Sequence, residues 1–282
     1  MYLVVGATAH FGRQVVEELV AAGEPVRALT RKPEAAGLPG SVEVVQGDLT
    51  AATSLPPVVA GVEAMVLILQ YGMDAEPLLA AARAAGVRRV VFLTSGAVVA
   101  GVASDSQPDV IAAYHRRVEE AIEASGMEWT FLRLLFPAIN SLTFAMQLQG
   151  GDVIRAPYTR AEISAVHERD VAEVAARVLT GGGHASAILD LTGPASLTQA
   201  EQVAILAEVL DRPLTVEDLP PAPALEQMSQ FMDGQFLTAL FGLMESAVGK
   251  TAPVNDVVEQ ITGHSARSYA QWAADHRADF GG

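Results

Sequence analysis

The sequence has 282 residues, no cysteine and a formal net charge of −15 at pH 7. Half of its residues are hydrophobic, which suits one large α/β domain or one domain with a smaller appendage. The lack of cysteine excludes disulfides, thiolate metal sites and cysteine nucleophiles. The excess of 33 acidic over 18 basic residues argues against a nucleic-acid partner, because phosphate neutralisation needs clustered cations.

The apolar runs of the chain are short. The longest, at residues 64–69 and 90–93, have the length of strands and fall far short of the roughly 20 residues that a bilayer requires. No basic leader precedes the first apolar run, which is therefore interpreted as a strand and not as a signal peptide. We accordingly expect a cytoplasmic protein with no membrane partner.

Strand-like and helix-like segments alternate over the first half of the chain. Strands are predicted at residues 2–5, 26–29, 42–45, 64–69, 89–94 and 129–135. Helices are predicted at residues 11–22, 78–85 and 110–124, each ending close to a glycine. Apolar strands that alternate with amphipathic helices indicate a parallel sheet covered on both faces, so the predicted fold is α/β, a doubly wound Rossmann sheet.

The pattern becomes irregular after residue 136. Beyond a long excursion at 137–159, strands are predicted at 163–166 and 187–191, and helices at 171–179, 197–210, 225–248, 254–261 and 268–276. We expect residues 1–136 and about 160–184 to form the Rossmann domain. Residues 137–159 and 185–282 are expected to form a smaller, mostly helical substrate or lid domain.

A methionine-rich apolar stripe marks the predicted helix at 225–248. It consists of Met228, Met232, Phe236 and Leu240 at helical spacing. We interpret it as core packing or as the contact of a possible homodimer, with a flexible apolar lid over a substrate as the alternative.

A loop of small residues joins the first predicted strand to the first predicted helix. The residues assigned to cofactor binding in this loop are Gly6, Thr8, Ala9, His10, Phe11 and Gly12. Dinucleotide-binding folds need small residues here, because the turn is tight and the backbone must approach the pyrophosphate at a helix N-terminus. Ala9 stands where a third glycine is expected, and its methyl group narrows that approach. A plain strand-to-helix turn is the alternative.

The end of the second predicted strand indicates which dinucleotide binds. An NAD site usually places an acid there to accept a hydrogen bond from the ribose 2′-hydroxyl. This chain instead has Thr30, Arg31 and Lys32. The Arg31 guanidinium suits a 2′-phosphate and Lys32 adds a second charge, so we predict NADP(H) as the cofactor. A solvated basic turn is the alternative.

The third predicted strand is followed by Asp48. In this architecture the position lies near the adenine, and the carboxylate is a candidate for accepting a hydrogen bond from it. An Asx turn that ends the strand explains the same residue equally well.

Taken with these motifs, the sequence resembles the NmrA-like branch of the atypical short-chain dehydrogenase/reductases. The segments that carry the resemblance are residues 6–12, 26–31, 47–49, 118–119, 125–126, 129–133, 140, 169–172, 191–194, 257–263 and 269–276. It implies NADP(H) held between a Rossmann domain and a small C-terminal substrate domain. Members of the branch include quinone, azo-dye and enone-type reductases as well as non-catalytic redox sensors.

The resemblance also nominates residues around the nicotinamide. Leu69 and Gln70 follow the fourth predicted strand and are expected to edge the pocket. Thr94 and Ser95 end the fifth, and Ser95 stands where a serine of the family often faces the nicotinamide. A strand-end hydroxyl that caps a turn is the alternative for Ser95.

The usual Tyr-x-x-x-Lys pair of the wider family is incomplete in this chain. Tyr114 is the best phenol donor, but Val118 occupies the lysine position, and the two lysines of the chain, Lys32 and Lys250, are too far away in sequence. His115 stands where many NmrA-like members carry lysine or histidine, as a ribose contact or a proton relay. A surface histidine is the alternative for His115. The catalytic candidates are therefore Tyr114, His115 and Ser95.

Two functions follow from this pattern. The first is an NADPH-dependent reductase of a small, hydrophobic substrate with a conjugated carbonyl, quinone-like or enone, since such acceptors need little acid catalysis. The alternative is a catalytically inactive NADP(H) sensor that acts through a protein partner. The six histidines show no metal-ligand spacing, so no metal is expected. Arg133, inside a predicted strand, is expected to pair with a buried acid.

Overall fold

The computed structural model describes residues 1–281 and contains eleven strands. The strands are β1 (Tyr2–Val5), β2 (Val26–Thr30), β3 (Glu43–Gln46), β4 (Ala64–Leu67), β5 (Arg89–Ser95), β6 (Glu128–Leu134), β7 (Val153–Ala156), β8 (Glu162–Ile163), β9 (Ala187–Leu191), β10 (Leu197–Thr198) and β11 (Thr215–Asp218). Seven of them form one parallel sheet in the order β3-β2-β1-β4-β5-β6-β9. The strand order reverses between β1 and β4, which confirms the predicted doubly wound fold.

Eleven α-helices accompany the strands. They are α1 (His10–Ala21), α2 (Leu55–Val59), α3 (Glu76–Ala84), α4 (Val110–Ser125), α5 (Thr143–Leu148), α6 (Glu168–Thr180), α7 (Gln199–Leu210), α8 (Pro221–Met228), α9 (Gly234–Ser246), α10 (Val257–Thr262) and α11 (Tyr269–Asp275). Among residues 1–281, no helix is both long enough and apolar enough to cross a bilayer.

Alternating side chains of the central strands fill two separate apolar cores. Val4 of β1 packs on the face covered by α1 and α6, whereas its neighbours Leu3 and Val5 pack on the face covered by α2, α3 and α4. This division follows from the two-residue period of a strand, which sends successive side chains to opposite faces. Both faces of the sheet are therefore buried, as the continuous apolar runs of its strands predicted.

The C-terminal part of the chain contributes more to the sheet than predicted. β9 pairs in parallel with β6, so the Rossmann sheet takes its seventh strand from beyond residue 184, where we had placed the end of that domain. Helices α5, α7 and α11 and strands β7, β8, β10 and β11 contribute to a third apolar core that contains Trp272, Ile154 and Leu206. Two small sheets, β7 with β11 and β8 with β10, belong to this second region.

The segment predicted as one helix at 225–248 consists of two. α8 ends at Met228 and α9 begins at Gly234, where Asp233 caps the new helix by accepting from the Phe236 amide at 2.8 Å. Met232 therefore lies in a turn, and the apolar stripe is not continuous. A side chain that caps a new first turn favours a break over an unbroken helix.

His276, which directly follows α11, joins the C-terminal helix to α6. One ring nitrogen lies 2.5 Å from Glu168 Oε1 and the other 2.6 Å from Asp279 Oδ2, while the ring stacks on Trp272. Burial by itself would lower the pKa of His276, but the two carboxylates outweigh it and raise the pKa above its usual value. Burial by itself would raise the pKa of Glu168, but the neighbouring imidazoles outweigh it and lower the pKa to about 2.

We expect this ion pair to stabilise the fold only within a window of pH. The raised pKa of His276 means that its contribution is complete below about pH 6.5 and is lost as the pH rises through the folded-state pKa. The lowered pKa of Glu168 means that its contribution is complete above about pH 4.5 and is lost towards pH 2. In urea unfolding, His276→Gln should therefore destabilise the protein at about pH 6 and much less at about pH 9. An equal loss of stability at the two pH values would contradict the ion pair between His276 and Glu168.

Candidate active site

The loop after β1 and the first turn of α1 are packed so tightly that one position in each admits only glycine. A Cβ on Gly12 would lie 2.1 Å from the carbonyl oxygen of Gly6, and a Cβ on Gly6 would lie 2.6 Å from that of Ile68. Gly6 also has a φ of +82°, in the left-handed region that side chains disfavour. The loop therefore holds the first turn of α1 against the end of β4, beside the point where the strand order reverses.

The N-terminus of α1 presents unpaired backbone amides. The first amide that bonds within the helix is that of Arg13, which donates to the Ala9 carbonyl at 2.9 Å, so the amides of His10, Phe11 and Gly12 have no intrahelical acceptor. Ala9 occupies the N-cap position and its side chain forms no cap. Thr8 and Ala9, which directly precede the helix, are exposed, whereas Ala7 is buried. Free backbone amides at an exposed helix N-terminus suit the pyrophosphate of a dinucleotide.

The turn after β2 presents two cations to solvent. Arg31 and Lys32 are both exposed, and the turn is held by the Lys32 amide, which donates to Thr30 Oγ1 at 3.2 Å. Gln46 at the end of β3 donates to the Arg31 carbonyl at 3.3 Å. The backbone of the turn is thus fixed while its charged side chains remain available.

Asp48 forms the Asx turn that was the alternative interpretation of this residue. Its Oδ1 accepts from the amide and the hydroxyl of Thr50 at 2.9 and 2.8 Å. These two hydrogen bonds lower the pKa of Asp48. Desolvation raises the pKa slightly, and the charge of Arg31 lowers it further. The contact with adenine stays a prediction, and the second carboxylate oxygen is the one that could make it.

The two hydroxyl residues at the end of β5 have different roles in the structure. Thr94 donates to Glu119 Oε1 of α4 at 3.0 Å and is buried. Ser95 Oγ accepts from the Ala97 amide at 3.1 Å, so it caps the turn after the strand. That bond leaves the hydroxyl hydrogen of Ser95 free to donate, and its predicted place at the nicotinamide stays a prediction.

Glu119 anchors a buried charged network behind this strand end. Its oxygens lie 2.8 and 3.2 Å from the Arg133 guanidinium of β6. Arg133 also donates to the Val98 carbonyl at 3.3 Å, in the loop after β5. The prediction that Arg133 pairs with a buried acid is confirmed, and the pair ties α4 to the ends of two strands.

Tyr114 uses its hydroxyl to hold the loop that follows β4. The oxygen lies 2.9 Å from the Gln70 carbonyl and 3.0 Å from the Met73 carbonyl, both of which accept from it. Burial raises the pKa of Tyr114 to about 12. This geometry gives the side chain a structural use that its sequence position did not reveal, and it makes Tyr114 a weak acid.

His115 is not a surface histidine. Its ring lies 6.1 Å from that of Phe92 in β5 and 5.2 Å from that of Tyr114, and its Nδ1 is buried without a hydrogen-bond partner. Burial lowers the pKa of His115 to about 4. The imidazole is therefore neutral at pH 7 and cannot supply the positive charge that a lysine would bring to this position.

Large apolar side chains surround the carboxyl end of the central strands. Tyr71, Val99 and Leu135 follow β4, β5 and β6, and each is about two-fifths exposed. The ring of Tyr71 lies 5.1 Å from that of Tyr114 and 5.0 Å from that of Phe236 in α9. A cavity of about 500 Å³ lies between residues 71–76 and α4. We call Tyr71, Val99 and Leu135 the apolar rim.

Sequence reasoning missed Arg13, which directly follows Gly12. Its guanidinium donates to the carbonyls of Thr8, Ala36 and Gly37 at 3.2, 2.8 and 2.9 Å. The only signal in the sequence was an arginine in the first turn of a helix that follows a glycine-rich loop. Its partners lie up to 24 residues away, so no local pattern could have indicated them.

Comparison with known proteins agrees with this geometry. Residues 6–181 match a family model described as NAD(P)H-binding. The chain is 37% identical to a (4-alkanoyl-5-oxo-2,5-dihydrofuran-3-yl)methyl phosphate reductase of Streptomyces griseus, over 99% of both chains. It is 32% identical to an NAD(P)H azoreductase of Xenophilus azovorans, over 100% of this chain and 99% of the relative.

The same fold occurs in an NADPH-dependent quinone oxidoreductase from Escherichia coli. Its crystal structure covers 98% of this chain and 99% of its own, with a TM-score of 0.81 and 22% identity. The resemblance to the NmrA-like branch is thereby confirmed, and the enzyme hypothesis is favoured over the sensor. The chain belongs to the NAD(P)H-binding family and, from its full-length similarity to reductases, is an NAD(P)H-dependent reductase.

Proposed function

We propose that the protein uses NADPH in preference to NADH and reduces an apolar acceptor with a conjugated carbonyl, of the enone or quinone kind. The observation that carries this proposal is the apolar rim, which stands at the edge of the sheet where ligands of doubly wound folds bind. The relative from Streptomyces griseus is named for the phosphate ester of an alkanoyl-substituted unsaturated lactone, and that from Xenophilus azovorans for azo compounds. Both names describe conjugated acceptors.

The side chains near this edge suit a reaction that needs little acid catalysis. When bound, NADPH supplies a hydride to the acceptor. In a conjugated acceptor the resulting negative charge is delocalised, so the accompanying proton can come from water. The amides of α1 hold the pyrophosphate, Arg31 and Lys32 hold the 2′-phosphate, and Tyr114 fixes the loop at Gln70 and Met73. The apolar rim binds the apolar part of the acceptor and leaves its carbonyl oxygen open to the water that supplies the proton.

A panel of acceptors tests the substrate class. The absorbance of NADPH would be followed with a naphthoquinone, an alkyl-substituted enone and the saturated ketone of the same carbon skeleton. We expect turnover of the first two and a kcat/KM at least about 100-fold lower for the saturated ketone, which would need a general acid. Equal turnover of the enone and the saturated ketone would contradict the proposal.

Replacing Tyr114 with phenylalanine tests the role of its hydroxyl. Because that hydroxyl donates to two backbone carbonyls, we expect kcat to fall less than about threefold, whereas loss of a general acid costs about 100-fold or more. KM should rise as the loop loosens. The pKa of about 12 for Tyr114 and about 4 for His115 also predict that kcat shows no titration by either group between about pH 6 and about pH 9.

The preference for NADPH is tested by binding. Loss of a charge-assisted hydrogen bond costs about 1.5–3 kcal/mol, so Arg31→Ala should raise the Kd for NADPH by about 10- to 100-fold and leave that for NADH nearly unchanged. Fluorescence titration of the apoprotein measures both constants. Arg83→Ala, an exposed arginine in the last turn of α3, serves as the control. Equal affinities of the wild type for NADPH and NADH would overturn the assignment.

A further inference from the structure

Arg13 connects the segment that would hold the pyrophosphate of NADPH to the segment that would hold its 2′-phosphate. Its Nε donates to the Thr8 carbonyl in the glycine loop, 3.2 Å away. Its Nη2 and Nη1 donate to the carbonyls of Ala36 and Gly37, at 2.8 and 2.9 Å. Ala36 and Gly37 belong to the segment of residues 31–37, which starts at Arg31 after β2. One side chain thus sets the distance between the glycine loop and this segment.

The geometry of these contacts requires a guanidinium. Three carbonyls in two separate segments are reached at once by a planar group with five N–H donors. A lysine ammonium at the end of a flexible stem could bond one or two of them but would not fix their relative positions. The segment has little regular structure of its own, since residues 33–35 form only a short 3-10 turn and Gly37 has a φ of +57°.

The charge of Arg13 is also uncompensated. Within residues 1–281 no carboxylate lies within salt-bridge distance of it, although the protein as a whole is strongly acidic. Its three hydrogen bonds to neutral carbonyls leave two of its five N–H groups without acceptors. Arg13 therefore brings an unpaired positive charge to the carbonyls of Ala36 and Gly37, at the end of the segment that starts at Arg31.

We infer that Arg13 is a positioning residue for the selection of NADPH over NADH. It holds residues 31–37 against the glycine loop, so that Arg31 and Lys32 meet the 2′-phosphate while the amides of α1 meet the pyrophosphate. Fixing the segment before binding removes the entropic cost of ordering it in the complex. NADH gains little from this arrangement because it has no 2′-phosphate. The inference rests on the proposed site for the 2′-phosphate at Arg31.

Two variants of Arg13 separate positioning from charge. Arg13→Met keeps the length of the side chain and removes its donors and charge. Arg13→Lys keeps the charge but loses the planar guanidinium that reaches three carbonyls at once. Titration of each apoprotein with NADPH and with NADH, followed by protein fluorescence, gives four dissociation constants. We expect both variants to raise the Kd for NADPH by about tenfold or more and that for NADH by less than about threefold. Arg83→Met, which makes none of these contacts, should bind both cofactors as the wild type does.

The other outcomes each overturn the inference. If Arg13→Lys binds NADPH like the wild type while Arg13→Met does not, Arg13 acts through its charge and not by positioning. If the affinities for NADPH and NADH fall equally, the residue is merely structural, and thermal unfolding of each variant would show whether the fold is weakened. If both variants bind like the wild type, Arg13 has no part in binding.

The same titrations also test the proposed preference for NADPH separately from the role of Arg13. Loss of NADPH affinity in Arg31→Ala together with unchanged binding in both Arg13 variants would retain the 2′-phosphate site and reject the role of Arg13. A wild type that binds NADPH and NADH equally would instead reject the site itself. The two failures are therefore distinguishable.

Discussion

Replacing Gly12 with alanine is expected to abolish NADPH binding. The added Cβ would lie 2.1 Å from the Gly6 carbonyl oxygen and 2.7 Å from the Cα of Ala7, and both neighbours are backbone atoms that no side-chain rotation can move. The first turn of α1 must then shift away from the loop, and a displacement of about 1 Å in a binding site can cost about 100-fold. We expect at least that loss in the Kd for NADPH, measured by fluorescence titration.

The matched control is Gly182→Ala, because a Cβ at this position meets no atom within 4 Å. It should bind NADPH as the wild type does. Binding of NADPH to Gly12→Ala with unchanged affinity would mean that the loop between β1 and α1 is not the pyrophosphate site.

A second variant of the same loop separates folding from binding. Ala9 is the N-cap of α1 and has the extended backbone that capping residues adopt, with φ −86° and ψ 168°. Aspartate there would accept from a free amide of the first turn and stabilise the apoprotein by about 1 kcal/mol. The same carboxylate would occupy the amides and repel the pyrophosphate. We therefore expect Ala9→Asp to raise stability against urea and to weaken NADPH binding. An increase in both stability and NADPH affinity would contradict the assignment of the α1 amides to the pyrophosphate.

Replacing Glu119 with glutamine is expected to be among the most destabilising substitutions in the protein. Glu119 is fully buried and Arg133 is 6% exposed, so the variant leaves a buried guanidinium without its counter-ion. Removal of one partner from a buried ion pair costs about 3–5 kcal/mol, a large part of the ordinary stability of a domain. Urea unfolding, monitored by far-UV circular dichroism, measures the loss.

The double variant Glu119→Leu/Arg133→Met provides the control. Replacing both members of a buried pair by apolar residues of similar volume is often close to neutral, because the cost of burying the charges disappears together with their attraction. We expect the double variant to recover much of the stability that Glu119→Gln loses. A double variant less stable than Glu119→Gln would show that the contacts with Thr94, Arg116 and Val98 matter more than the ion pair with Arg133.

The cofactor end of the site was largely predictable. The glycine loop and the pair Arg31 and Lys32 fall at the ends of β1 and β2, whose strands the apolar pattern indicated to within one residue. A parallel sheet brings the carboxyl ends of its strands to one edge, so their order in the chain implied their proximity in space. The roles of the catalytic candidates were less predictable. The position of Tyr114 in the family pattern suggested a proton donor, yet its hydroxyl bonds to carbonyls 41 and 44 residues away.

The sequence by itself determined which dinucleotide-binding fold forms, because alternating apolar strands and helices allow few arrangements of a parallel sheet. It also determined where the phosphates of a cofactor can approach, because only small residues fit the first turn. The tertiary structure alone decided that β9 completes the sheet, that Arg13 joins the glycine loop to residues 31–37, and that His115 is partly buried and neutral. Each of these depends on contacts between segments distant in the chain, and periodicity specifies the face on which a residue lies but not the partner that it meets there.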